Sequence, residues 1–123
     1  MTVPDRAPER VATAIARWRR ARAADRLPAR LDELVARLRI SAGRRPRLVV
    51  RTMRTRWASL SRAGTITVTP DLIRAPMACV DYVIIHELTH IDHPHHGPAF
   101  WRALARRMPD WKARKLRLEK TLA

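Results

Sequence analysis

The sequence predicts an α+β fold in which a small antiparallel sheet packs on a central helix, with helical segments at both ends of the chain. Three observations carry this prediction. A length of 123 residues, 46% of them hydrophobic and 30% charged, supports one domain with one modest core and excludes a disordered chain or a multi-domain enzyme. Strand-forming residues, many of them β-branched, are concentrated between positions 48 and 69. Around that stretch, apolar residues recur at helical spacing.

Two helices are predicted before the sheet. The first covers residues 8–25, where apolar residues share one stripe: Val11, Ile15 and Trp18. Pro28 begins the second helix, which runs to about residue 39 with apolar residues at helical spacing: Leu31, Leu34, Val35 and Leu38. A break and a short linker follow. Residues 1–45 are therefore predicted to form an Arg-rich helical segment, separate from a second unit over residues 46–123.

Three short strands are predicted in the centre of the chain, over residues 48–52, 57–60 and 65–69. A turn at Gly64 joins the last two strands, and Pro70 ends the third. We expect these strands to form a small antiparallel meander, followed by a short turn or helical piece over residues 71–75.

Three further helices are predicted after the sheet. Pro76 suits the first position of a helix that runs to about Ile91, because Pro94 disfavours helical geometry in the residue before it. The other two helices cover residues 98–107 and, beyond an interrupting proline, residues 110–122.

The positive charge is concentrated at the two ends of the chain. The formal net charge is +15, and residues 1–47 contribute 13 basic and 5 acidic side chains. Residues 48–100 are nearly neutral, with 5 basic and 4 acidic side chains, while residues 101–123 carry 8 and 2. Basic ends favour polyanionic partners. The arginines of the first helix therefore either bind nucleic acid or form a solvated surface. The arginines concerned are Arg17, Arg19, Arg20, Arg22 and Arg26.

The cellular compartment is predicted from what the sequence lacks. One cysteine, Cys79, excludes an internal disulfide and fits a reducing compartment. The first six residues carry charges where a signal peptide needs an apolar run, and no apolar stretch is long enough to span a membrane. We therefore expect a cytoplasmic protein without a membrane partner; the oligomeric state is not predicted.

The run His86-Glu87-Leu88-Thr89-His90 lies within the helix that begins at Pro76. Histidines four residues apart lie on one face of a helix, so both imidazoles can reach one metal ion. Apolar residues form a stripe on the opposite face, which predicts the core-facing side: Met77, Val80, Ile84, Leu88 and Ile91. The helix is thus predicted to bury one face and to present a metal-binding pair on the other.

A third protein ligand is expected in the stretch after this helix, which contains His93, His95 and His96. His96 is favoured because it lies six residues past His90, far enough for the chain to turn back towards the metal. His95 is the next candidate, and His93 is the last. Two alternatives to a catalytic metal remain: a structural zinc, or solvated histidines on a surface helix.

Three neutral histidine ligands predict catalytic zinc chemistry. Such a zinc keeps its positive charge, lowers the pKa of a bound water molecule and polarises a scissile carbonyl. Glu87 is adjacent to His86 and is the candidate general base that accepts the proton of the water and delivers it to the leaving amine. These functions together are those that hydrolysis of a peptide bond requires.

Four segments appear in an order that resembles the YgjP-like metallopeptidase domain, a zincin family related to the SprT-like and WLM domains. They are MRTRWAS (53–59), YVIIHELTH (82–90), PHHGPAFW (94–101) and PDWK (109–112), and the resemblance covers about residues 46–120. It implies a minimal zincin-like fold for residues 46–123, with zinc on His86, His90 and His96 and with Glu87 as the catalytic base. It also implies a peptide or protein substrate that lies extended along the sheet edge.

The sequence departs from the family pattern at two points. Ala58 and Leu60 stand where the pattern Arg-Trp-Gly-Ser-Cys has glycine and cysteine. The β-rich N-terminal region of longer members is replaced here by the Arg-rich helices. Of all the properties of the family, substrate recognition is therefore the one that the resemblance predicts least for this sequence.

Several residues near the motif have two interpretations each. Tyr82 is either a donor to a developing oxyanion or a half-buried residue with a solvated hydroxyl. Asp92 or His93 either orients a ligand or is a solvated loop residue. Arg54 and Arg56 either bind a substrate carboxylate or phosphate or are solvated.

The sequence predicts a zinc metallopeptidase. The alternative is a basic nucleic-acid-associated module with structural zinc or vestigial activity. A third hypothesis, a peptidase that acts on DNA-bound proteins, combines the two.

Overall fold

The computed structural model describes residues 7–122 and contains helices, a small sheet and two 3₁₀ turns in this part of the chain. The first six residues, on which the prediction of no signal peptide rests, lie outside the described residues. The helices and strands are α1 (Ala7–Arg37), β1 (Arg47–Val50), β2 (Ala58–Leu60), β3 (Thr65–Val68), α2 (Met77–Thr89), α3 (Pro98–Arg107) and α4 (Trp111–Leu122). The 3₁₀ turns cover Ala42–Arg44 and Pro70–Arg74. None of the described helices is long and apolar enough to cross a membrane.

The N-terminal segment is one helix, so the prediction of two helices separated at Pro28 is wrong. Pro28 lies inside α1 and removes one hydrogen bond of the helix, at a cost of about 3 kcal/mol. Leu27 and Leu31 on either side of it are fully buried, and each buried leucine contributes roughly 1.5–3 kcal/mol. The burial of this continuous stripe therefore offsets the proline, and the helix continues through it.

The sheet is mixed, so the predicted antiparallel meander is right for β2 and β3 and wrong for β1. The strand order is β1-β3-β2, and β1 runs parallel to β3 with Leu48 beside Ile66. Strand β2 is antiparallel to β3, with Ser59 beside Thr67. The connection over residues 51–57 contains no glycine, proline, asparagine or aspartate for a tight turn. This segment instead carries the chain across β3, which leaves β2 at an edge.

One core joins α1 to the rest of the molecule. Fully buried side chains from α1, the sheet, α2, α3 and α4 belong to the same cluster, among them Leu31, Ile66, Ile84, Phe100 and Leu118. The α+β fold class is thereby confirmed. The division between residues 45 and 46 stays a prediction, and α1 packs on the same core as the unit that follows it.

Helix α2 is buried on nearly all sides, so the prediction that it buries only one face is wrong. Val80, Ile84 and Leu88 of the predicted core stripe are fully buried, whereas Met77 is exposed. Val83 and Ile85, which lie off that stripe, are also buried. The sheet covers one side of α2 while α1, α3 and α4 contact its other sides. Neighbours on every side leave α2 little freedom to shift.

A buried ion pair fixes α2 against α1. The guanidinium of Arg30 donates from Nε and Nη2 to the two carboxylate oxygens of Asp81, at 2.6 Å each. Asp81 is only 5% exposed, and this paired carboxylate raises the pKa of Arg30 above its usual range, against the opposing effect of burial. A bidentate arginine–carboxylate pair fixes orientation as well as distance. The pair therefore sets the rotation of α2 about its axis, five residues before His86.

Candidate metal centre and active site

Three imidazoles meet at the C-terminal end of α2. His86 lies on α2 and His90 directly follows its last residue, while His96 comes from the connection between α2 and α3. The Nε2 atom of His96 lies 2.9 Å from Nε2 of His90 and 3.3 Å from Nε2 of His86. The ligand atoms of the three residues all lie within 4.8 Å of one another. The structure thus brings together the three histidines that the sequence singled out as metal ligands.

The other two candidates for a third ligand lie outside this cluster. His95 lines the adjacent cleft. His93 contributes its backbone, because its carbonyl accepts a hydrogen bond of 3.0 Å from Nδ1 of His90. With the proton on Nδ1, the lone pair of His90 is on Nε2, which points to the other two rings. His93 therefore orients His90 through its main chain, whereas the sequence interpretation considered only its side chain.

The connection that carries His96 is anchored at both ends. The carbonyl of His96 accepts a hydrogen bond of 3.1 Å from Nε1 of Trp101. At the start of the connection, the carboxylate of Asp92 pairs with Arg44 at 2.6 Å and with Arg107 at 3.6 Å. Asp92 was predicted to orient a ligand or to be solvated, and it instead joins the loop to its two neighbouring segments. The chain can therefore turn back at Pro94 and hold His96 in place.

Phe100 forms the base of the histidine cluster. Its buried ring stacks on His90 at 4.5 Å and lies 5.0 Å from His86 and 4.9 Å from His96, centroid to centroid. Trp101 lies beside His96 and stacks on Trp111 at 5.0 Å. The role of Phe100 at the site was not predicted from the sequence. The signal for this role is the position of Phe100 four residues after His96, at the start of a helix.

The donor set fits a zinc ion. In tetrahedral zinc sites with bonds of about 2.0–2.1 Å, two nitrogen ligands lie about 3.3 Å apart, and imidazole nitrogen is a common ligand of zinc. Burial, together with the nearby His90 and His96, lowers the pKa of His86 to about 4. Burial also lowers the pKa of His90. Both rings are therefore neutral near pH 7, which is the form that binds a metal.

Glu87 is buried beside the histidines. Its side chain lines the same cleft as His86 and His90, and the residue is only 8% exposed. Burial raises the pKa of this carboxyl to about 7, although the backbone N–H of Leu60 and the charge of Arg56 act in the opposite direction. A carboxyl with a pKa near 7 exchanges a proton readily at neutral pH.

A cleft of about 1100 Å³ separates α2 from the edge of the sheet. The β2–β3 bonds run from Ser61 N–H to the carbonyl of Thr65 and from Thr69 N–H to the carbonyl of Trp57. In an antiparallel pair, residues whose backbone groups hydrogen-bond to the other strand alternate with residues whose backbone groups point outwards. Trp57 and Ser61 hydrogen-bond to β3 or its flanking residues, so the backbone groups of Ala58 and Leu60, which lie between them, point away from β3. Among the described residues, the backbone groups of Ala58 and the carbonyl of Leu60 therefore face the cleft unpaired, whereas the N–H of Leu60 lies near the carboxylate of Glu87.

Tyr82 lies one turn before His86 and is buried, with 5% of the residue exposed, rather than half-buried. Its ring contacts His86 edge-on at 5.9 Å and stacks with Trp111 at 6.4 Å. Burial raises the pKa of Tyr82 to about 12, so its hydroxyl keeps its proton at neutral pH. The residue lines the cleft, and its predicted action on an oxyanion stays a prediction.

Comparison with known proteins identifies the family. The family model of the YgjP-like metallopeptidase domain matches residues 1–121. Among solved structures, the crystal structure of the metallopeptidase zymogen of Pyrococcus abyssi abylysin matches with a TM-score of 0.65 and 24% sequence identity, over 73% of this chain and 89% of that chain. A search of curated proteins found no match. The chain belongs to the YgjP-like metallopeptidase family, and the match includes α1, which lies outside the motifs that carried the resemblance.

Proposed function

We propose that this member of a metallopeptidase family hydrolyses peptide bonds with a zinc ion on His86, His90 and His96 and with Glu87 as the general base. The observation that carries the proposal is the distance from Nε2 of His96 to Nε2 of His90 and of His86, 2.9 Å and 3.3 Å, which is close to the separation of zinc ligands. The hydrogen bond from His90 to the carbonyl of His93 supports it further, because it leaves Nε2 unprotonated.

The zinc ligands and Glu87 have different roles in the proposed reaction. A zinc ion held by the three histidines would supply a positive charge that lowers the pKa of water and polarises the scissile carbonyl. Glu87 accepts a proton from the attacking water on its carboxylate and then delivers the proton to the leaving amine. The burial of this carboxyl beside the histidines, in the lining of the cleft, suits both steps.

The edge of β2 binds the substrate in this proposal. An extended peptide adds to an exposed strand through main-chain hydrogen bonds, and the backbone groups of Ala58 and the carbonyl of Leu60 face the cleft beside Glu87. A folded segment cannot present its backbone to such an edge. The substrate is therefore an extended or unfolded stretch of a protein.

The decisive experiment combines metal content with cleavage. The purified protein is expected to bind one equivalent of zinc and to cleave an unfolded protein. Glu87→Gln is expected to keep its fold and zinc and to lose at least about 100-fold in cleavage rate, the usual contribution of a general base. Glu119→Gln, an exposed position on α4, is the matched control. Cleavage by Glu87→Gln at the wild-type rate contradicts the proposal, and zinc binding without cleavage by the wild type indicates a structural metal.

A second candidate function, association with nucleic acid, is favoured by the exposed half of α1. Residues 8–18 of this helix are all exposed, and the arginines of this half surround Trp18, which is 57% exposed. Phosphates accept such side chains without sequence preference, and their binding weakens steeply as salt concentration rises. Titration of a DNA duplex at several salt concentrations tests this candidate, and the absence of binding at low salt rejects it.

A further inference from the structure

The cleft beside the histidines is strongly basic. Within residues 7–122, its lining includes five arginines and only one acidic residue, Glu87. The arginines are Arg44, Arg45, Arg47, Arg56 and Arg62. In the sequence, residues 48–100 are nearly neutral, whereas the cleft is strongly basic. The difference arises because the fold brings arginines from the start of β1 and the segment before it next to those near β2.

Three of these arginines have no partner among the described residues. Arg44 pairs with Asp92 at 2.6 Å, and Arg45 pairs with Asp32. Arg47, Arg56 and Arg62 make no ion pair or side-chain hydrogen bond within residues 7–122, and all three are exposed. Their guanidinium groups are therefore available to a molecule that enters the cleft.

The three arginines lie at the two ends of the edge strand. Arg56 is two residues before β2 and Arg62 is two residues after it, which places them roughly 20 Å apart along an extended chain. The N–H of Arg47 bonds to the carbonyl of Gly64, so Arg47 lies at the same end as Arg62. Glu87 lines the same cleft as Arg56 and Arg62, and α2 contacts β2, the strand between these two arginines.

We propose that the cleft selects peptide segments with acidic residues on both sides of the scissile bond. This inference rests on the proposed function above and specifies the class of substrate. Arg56 pairs with a carboxylate at one end of the bound segment, and Arg47 and Arg62 pair with a carboxylate at the other. Arginine binds carboxylates through two parallel hydrogen bonds. The three unpaired arginines also repel lysine and arginine side chains of a peptide, so acidic residues are attracted and basic residues are rejected.

The test uses three peptides that differ only in the residues at the third position on each side of the central bond: aspartate, asparagine or lysine. Hydrolysis of the asparagine peptide reports on the proposed function alone, and the ratio of rates reports on this inference. At low salt we expect kcat/KM to be about tenfold or more higher for the aspartate peptide than for the lysine peptide, with a smaller ratio at high salt. Equal values for the two charged peptides overturn the inference even if all three are cleaved.

Binding provides a readout that does not depend on turnover. Fluorescence anisotropy of the labelled aspartate and lysine peptides with Glu87→Gln should show the same order of affinity, whether or not cleavage is detected. Equal affinities overturn the inference.

Charge reversal identifies the residues responsible. Arg62→Glu is expected to reduce or invert the ratio of kcat/KM between the aspartate and lysine peptides. Arg102→Glu, an exposed position on α3 outside the cleft, is the matched control and should keep the preference. An unchanged preference in Arg62→Glu overturns the assignment of this residue.

A short single-stranded oligonucleotide tests the competing class of ligand. Inhibition of asparagine-peptide cleavage by the oligonucleotide, relieved in Arg62→Glu, would show that these arginines bind phosphates. If the aspartate and lysine peptides are also cleaved equally, the inference of acidic peptides is overturned.

Discussion

Helix α2 and the first half of α1 are both helices of the same protein, yet they differ in almost every physical respect. Ten residues of α2 are buried, and it has neighbours on all sides. Residues 8–18 of α1 are exposed throughout, and apolar side chains there remain largely in solvent: Val11, Ile15 and Trp18. A site that binds a metal needs ligands held within tenths of an ångström, and only dense packing provides that. The exposed half of α1 is under no such constraint.

The largest expected effect is on metal binding at the end of α2. His90→Ala and His96→Ala should each weaken zinc affinity by more than about 100-fold, since even residues behind the ligands typically contribute 10–100-fold. Zinc content after dialysis against a weak chelator measures this. His95→Ala is the matched control, because His95 lies in the same connection but outside the cluster. Loss of zinc in His95→Ala with normal zinc in His96→Ala contradicts the proposed ligand set.

A smaller but still large effect is expected where α1 and α2 are joined by an ion pair. Asp81→Ala removes the buried partner of Arg30, which keeps only the exposed Glu33, and should reduce the free energy of unfolding by about 3 kcal/mol. Glu119→Ala removes an exposed partner of Lys115 on α4 and should cost no more than about 1 kcal/mol. Denaturant unfolding of both variants makes the comparison. Equal costs would show that the buried pair does not hold α2 in place.

The two halves of α1 should respond differently to the same type of substitution. Leu27→Ala removes a fully buried side chain and should cost about 2–5 kcal/mol. Ile15→Ala changes a residue that is 42% exposed and should cost less than about 0.5 kcal/mol. Denaturant unfolding again gives both values. A large cost for Ile15→Ala would indicate that the first half of α1 packs against something in solution.

The last expected effect is a dependence of stability on pH at Glu87 in metal-free protein. The pKa of this carboxyl is about 7 in the folded state against an ordinary value of 4.5, so the folded state binds the proton more tightly than the unfolded state. The wild type should therefore gain stability relative to Glu87→Gln as pH falls from about 7 to 4.5, and lose it as pH rises. Denaturant unfolding of both metal-free proteins at several pH values measures the difference between their free energies of unfolding. A difference that stays constant between pH 7 and 4.5 contradicts the burial of an ionisable carboxyl.

Short-range patterns predicted much of the site. The spacing of His86 and His90 follows from helix geometry, and Pro94 ends the helix early enough for a later histidine to return. His96 was favoured on distance along the chain, and the structure places it beside the other two rings. The helix at Pro98–Arg107 and the short turn after Pro70 also follow from local signals.

Other features depend on contacts that local patterns do not contain. The continuity of α1 through Pro28 depends on leucines that find a core elsewhere in the chain. The parallel pairing of β1 depends on the route of residues 51–57 across the sheet. Strand pairing over such distances is decided by the whole fold, because propensity specifies a strand but not its neighbour.

The sequence by itself determined the chemistry of this protein: a histidine pair on a helix, a glutamate between them and a third histidine after a proline. These depend on the 3.6-residue period of the helix and on steric rules that act over a few residues. Only the tertiary structure decided how the site is surrounded. It placed Phe100 beneath the rings, the carbonyl of His93 behind His90 and the arginines along the cleft. The arginines come from distant parts of the chain, whereas Phe100 and His93 are close to the histidines in sequence; the packing of one shared core sets the positions of all of them.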